Sequence, residues 1–119
     1  MTGPWKGRAF DEVVADIEQA ADAAADLIRR GKDAWDSDLL LRLAGEAVIG
    51  RIADAANRLP DNLKAAIPEV PWDDVRDIRI LVDHIYHRIN YDALWQTLEK
   101  DIPHLRNRLR EWIKRPNQD

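Results

Sequence analysis

Arg79, Asp83, His84 and Tyr86 fall within eight residues, in the stretch RILVDHIY. An arginine is always charged and meets phosphate oxygens with two parallel donors. A histidine takes up and returns a proton near neutral pH. Those two groups suffice to cleave RNA without a metal. The histidine assists attack by the ribose 2'-hydroxyl or protonates the leaving oxygen, and the arginine stabilises the charged phosphorane. On a helix each residue advances about 100°. Arg79, Asp83 and Tyr86 then share a stripe about 60° wide, while His84 lies about 140° from Arg79. A second copy of the helix, brought in by a two-fold axis, would bring the two groups to one place. The residues alone equally admit a structural reading, in which Arg79 pairs with Asp83 at i,i+4 and His84 caps a core edge.

The elements that must position this stretch are helical. Phe10, Val13, Val14, Ile17, Ala20, Ala21, Ala24, Leu27 and Ile28 recur at steps of three and four. They predict an amphipathic helix ending at Gly31. Asp36 or Ser37 caps a second helix, which runs to about Leu59 and stops at Pro60. Its apolar residues Leu40, Leu43, Ala47, Val48, Ile52, Ala55 and Ala56 cover a wide arc, so it should be central. Ala44, Gly45, Ala53, Ala55 and Ala56 would let another helix come close. PDNLKAAIPEVPW gives at most a short helix between prolines. Pro71 opens the next helix, with Asp73 and Asp74 in its first turn and a seam of Val75, Ile78, Val82, Ile85 and Ile89. Asn90 caps a last helix carrying Leu94, Trp95, Leu98, Ile102, Leu105, Leu109, Trp112 and Ile113, bent by Pro103. The expected fold is all-α: an up-and-down bundle of four long helices and a short one. The expected domain is 9–115, with tails at 1–8 and 116–119.

Composition agrees. The 119 residues are 45% hydrophobic and 34% charged, enough for one folded domain. Five glycines and six prolines are too few for the turns of an all-β domain. The absence of cysteine excludes disulfides and thiolate metal sites and suits a reducing cytoplasm. The start, MTGPWKGRAF, has no apolar signal region, and no segment has the length of a membrane span. A net charge of −4 argues against indiscriminate nucleic-acid binding.

The stretch from Trp72 to Leu105 resembles the signature of the HepT-like family of HEPN domains. That family carries a tryptophan seven residues before an arginine, then four residues, a histidine, one residue and a tyrosine. Trp72, Arg79, His84 and Tyr86 fit that spacing. Trp95 and DIPHL (Asp101 to Leu105) match its downstream anchors, and IADAANRLP resembles its IGEAAKRLP. The resemblance implies a homodimeric helical bundle acting as the ribonuclease toxin of a toxin–antitoxin pair. It assigns catalysis to Arg79 and His84, in a cleft shared by two chains. Asp83 and Arg76, on the same stretch, are candidate supporting residues. It implies no metal and no cofactor. It also implies a partner, a small nucleotidyltransferase of the MntA type, that adds AMP to Tyr86 and silences the toxin. The added phosphates would compete with RNA phosphate at Arg79. Two positions depart from the pattern: Ile80 replaces a polar residue and Asp83 an apolar one. They motivate the alternative, a catalytically weak or inactive dimer that only binds its nucleotidyltransferase.

Other chemistry-bearing residues have blander readings. His84 and His87 are three apart, but no third histidine lies at helical distance for a metal. Arg106, Arg108, Arg110, Lys114 and Arg115 suit either an RNA backbone or, as preferred, a solvated helix face. Trp72, Trp95 and Trp112 sit at core spacing, whereas Trp5 and Trp35 lie near expected loops and suit a partner surface. Glu46 and Asp54 read as structural carboxylates reaching Arg79 or Arg76.

Overall fold

A computed structural model describes residues 8–70, 72–73 and 90–114. Every long element in this part is helical, and no strand occurs among the described residues. The order is α1 (Arg8–Arg29), α2 (Lys32–Ser37), α3 (Leu39–Asn57), α4 (Asp61–Ala66), α5 (Tyr91–Gln96), a π turn (Thr97–Asp101) and α6 (Ile102–Lys114). The all-α class expected from the apolar periodicity is what the chain adopts.

α1 buries Phe10, Val13, Ile17, Ala20, Ala21, Ala24 and Leu27, the face that the three-and-four spacing defines. The alanines bring it close to α3, its most extensive neighbour. α3 answers with Val48, Ile49, Ile52, Ala53, Ala55 and Ala56, all buried. Each large aliphatic side chain buried here contributes about 1.5–3 kcal/mol. α1 stops where Gly31 takes a φ of 91°, a left-handed conformation that an L side chain would resist. The Arg30 and Gly31 amides donate to the Leu27 and Ile28 carbonyls at 3.1 and 3.0 Å, closing the end.

The expected start of the second helix is corrected in detail. Lys32–Ser37 forms its own short helix, and Asp38 caps α3 by accepting from the Leu40 amide at 2.9 Å. The break at extended Asp38 turns α2 so that Trp35 lies over α3. The expected central burial of α3 holds only for its second half. Leu39, Leu40 and Leu43 are exposed, as are Ala44 and Ala47.

α5, the π turn and α6 form one continuous helical run. Pro103 was expected to bend it, because the ring displaces the preceding carbonyls and removes a donor. The chain widens by one turn just before the proline: the Ile102 amide donates to the Thr97 carbonyl, five residues back. Leu94, Leu98 and Ile102 lie in steps of four, which drift about 40° per step around an α-helix. The wider turn removes part of that drift, and all three remain buried. α6 then lies antiparallel to α1, as two ion pairs show. Arg110 donates to Glu18 at 2.5 and 2.6 Å, and Arg106 to Asp22 at 2.6 Å.

Candidate active site

Arg76, Arg79, Ile80, Asp83, His84, Tyr86 and His87 lie outside the described residues. So do Trp5, Arg115 and both expected tails, apart from Arg8. What the structure does show is how the flanks of residues 74–89 are held.

Upstream, the half-buried Trp72 packs on the core. Its indole Nε1 donates to the Lys64 carbonyl at 3.0 Å and the Ile67 carbonyl at 3.1 Å. This ties it to α4, just beyond the end of α3. Downstream, Asn90 caps α5, its side-chain oxygen accepting from the Asp92 and Ala93 amides at 3.1 Å each. The next residue, Tyr91, is fixed on several sides. Its hydroxyl donates to Glu46 Oε2 at 2.5 Å, and its carbonyl accepts from Trp35 Nε1 at 3.1 Å. The Arg42 guanidinium lies 5.4 Å from its ring centroid. Arg42 also donates to the Trp35 and Asp36 carbonyls at 2.7 and 2.8 Å. The hydrogen bond to Glu46, aided by burial and by the carboxylate charge, raises the Tyr91 hydroxyl above its usual pKa of 10.0.

These two anchors sit at different levels of α3. Glu46 is the eighth of its 19 residues. Arg58, at its close, binds Asp16 in the first half of α1 at 2.8 Å. Twelve residues of helix between Glu46 and Arg58 amount to about 18 Å. Trp72 and Asn90, the described residues on either side of 74–89, therefore stand at different levels along α3.

Several expectations change here. Glu46 accepts from Tyr91, and Asp54 lies 3.6 Å from Arg58; the expected partners Arg79 and Arg76 lie outside the described residues. Trp35 is 1% exposed, so it is core and no partner surface. Its indole is 5.4 Å from that of Trp95, centroid to centroid. Arg106, Arg108 and Arg110 are held by Asp22, Glu69, Glu111 and Glu18, which ties α6 to its neighbours and argues against an RNA track. His104 is exposed. Asp16, Arg51, Asp54 and Arg58 line an open cleft of about 330 Å³ between α1 and α3. Its two cations and two carboxylates balance. Among the described residues no helix is long and apolar enough to cross a membrane.

Arg42 and Tyr91 escaped the sequence reading. The one available signal was the position of Tyr91, directly after a capping asparagine. Nothing in the spacing connects it to Glu46, 45 residues earlier.

A family model described as ribonuclease HepT-like matches residues 17–112, from α1 to α6. The chain belongs to the ribonuclease HepT-like family. Among relatives, a protein of Thermococcus cleftensis named "Probable ribonuclease HepT" is 30% identical over 63 residues, 53% of this chain and 57% of its own length. Two proteins named "Putative RNase" also match. One, from Caldanaerobacter subterraneus subsp. tengcongensis, is 30% identical over 64 residues, 54% of this chain and 57% of its own. The other, from Methanocaldococcus jannaschii, is 24% identical over 99 residues, 80% of this chain and 91% of its own. The chain thus spans little more than half the length of the first two curated relatives it matches. No solved structure matches the HepT-like chain.

Proposed function

We propose that this HepT-like chain is the ribonuclease toxin of a toxin–antitoxin pair, active in the cytoplasm as a homodimer. The observation that carries the reading is the family match across residues 17–112, which contains Arg79, four residues, His84, one residue and Tyr86. His84 assists attack of the 2'-hydroxyl on the adjacent phosphorus, or protonates the departing 5' oxygen. Arg79 stabilises the charge that builds on the phosphorane oxygens. Arg76 and Asp83 support the pair. Tyr86 is assigned to regulation: an MntA-like nucleotidyltransferase adds AMP to its hydroxyl, and the new phosphates occupy Arg79. A phenol is a poor acid or base at neutral pH, with an unperturbed pKa of about 10.

The test is cleavage of total RNA by the purified chain in EDTA. Cleavage should persist in the chelator, and His84→Ala should lower its rate by roughly 10²–10⁴, the usual worth of acid–base assistance. Arg79→Ala should do likewise, with both variants folded by circular dichroism. Absence of cleavage by the wild-type chain, together with no growth arrest on expression, would leave the binding-module reading. Tyr86→Phe should cleave RNA yet gain no AMP by intact-mass measurement after incubation with the partner enzyme and ATP.

A further inference from the structure

The first half of α3 presents a stripe that the described core leaves uncovered. Leu40 is 74% exposed, Leu39 54% and Leu43 46%, while the other large apolar residues of α3 are buried or half-buried. Leu40, Leu43, Ala44, Ala47 and Arg51 follow steps of three and four, so they lie on one face. All five are exposed. Contiguous exposed apolar surface of this kind is a feature of interaction sites.

The order of residues along the stripe says what fits it. Large leucines come first, small alanines next, and a cation last. Before the leucines lie two exposed acids, Asp36, which also holds Lys32 at 2.9 Å, and Asp38, one oxygen of which caps α3. Arg51 lines the cleft with Asp16 and Asp54, but Arg58 takes both carboxylates, and Arg51 makes no ion pair among the described residues. Read in the opposite direction, the stripe complements itself: leucines meet alanines, and the arginine meets the acids.

Resting on the dimer reading above, we propose that two copies meet through this stripe, antiparallel, about a two-fold axis near Leu43 and Ala44. Leu40 seats over Ala47 of the second copy, and Arg51 reaches the Asp36–Asp38 corner of the second copy. The alanines let the two helices approach closely, as ridges-into-grooves packing requires. The contact is isologous, so each leucine and each arginine acts twice.

Light scattering after gel filtration, across micromolar concentrations, tests this on the full chain. Wild type should be a dimer. Leu40→Glu/Leu43→Glu should be a monomer with the same helical circular dichroism, because both side chains are already exposed within one chain. Arg51→Asp should weaken the dimer roughly tenfold, and adding Asp36→Arg should restore it. A double-glutamate variant that stays dimeric moves the interface elsewhere and overturns this inference, while leaving the dimer. A monomeric wild type overturns both. If wild type is monomeric and the double variant also melts at lower temperature, the stripe is covered by residues of its own chain.

Discussion

The two halves of α3 are held by different physics. In the first half, aromatic rings close over a glycine: Trp35 is buried against Gly45, Tyr91 and Trp95. Near its close, charged groups on the surface do the holding. Arg58 binds Asp16 with both side chains 48% exposed, and Arg108 binds Glu69. The first arrangement depends on shape and leaves no spare volume. The second sits in water, where each pair has modest worth and salt screens it. Stability should therefore be distributed unevenly along the helix, although both halves flank the same candidate catalytic segment.

The largest effect expected from breaking this contrast is at Gly45. A Cβ there would lie 2.6 Å from Cζ3 of Trp35 and 3.2 Å from Cδ1 of Leu98. The indole has little freedom to move, because its Nε1 is bonded to the Tyr91 carbonyl. Gly45→Ala should cost about 1–3 kcal/mol, the usual range for overpacking, even though alanine is the better helix former. Urea unfolding measures it, and an unchanged midpoint would mean that the ring is not where the structure puts it.

Next comes Tyr91→Phe, which removes the hydroxyl and leaves Glu46 without its donor. The expected loss is about 1 kcal/mol at neutral pH. The same variant sharpens the contrast through pH. The folded-state pKa of Tyr91 is raised above its unfolded value of 10.0. Its contribution is then fully present below that value and fades as pH rises through the folded pKa. Wild type should lose its advantage over Tyr91→Phe in alkaline solution, and a difference that stays constant past that point would sink the assignment.

The smallest effect is expected where charge does the holding. Arg106→Ala breaks the bond to Asp22, which is itself 74% exposed. The cost should be about 1 kcal/mol or less. Added salt should shrink it further, while leaving the Gly45→Ala penalty unchanged.

Much of this frame was legible in the chain. The spacing from Phe10 to Ile28 defined the buried face of α1, and Gly31 its end. Pro60 and Asn90 marked real boundaries. What escaped depended on partners distant in sequence. Trp35 read as a loop residue because no local pattern shows that α2 folds back over Gly45. Leu40 and Leu43 read as core because periodicity reports which face is apolar, never what covers it. Arg106 and Arg110 read as a free basic face because their partners, Glu18 and Asp22, lie on another helix. The candidate catalytic residues rest on spacing and family likeness. Their surroundings become visible only at Trp72 and Asn90, where the segment is tied down.

The ring pair beside Gly45 has an optical consequence. Two indoles with centroids 5.4 Å apart and planes tilted by 53° are close enough for their excited states to mix. Trp35 and Trp95 thus form a coupled chromophore, and its exciton couplet in the far-ultraviolet circular dichroism, where the indole transition is strongest, should vanish when either ring is replaced. One ring rides on α2 and the other on α5, so the signal is proportional to the population in which α2 and α5 are docked together on α3. The molecule carries a built-in gauge at the downstream anchor of its candidate catalytic segment, readable in solution without any label.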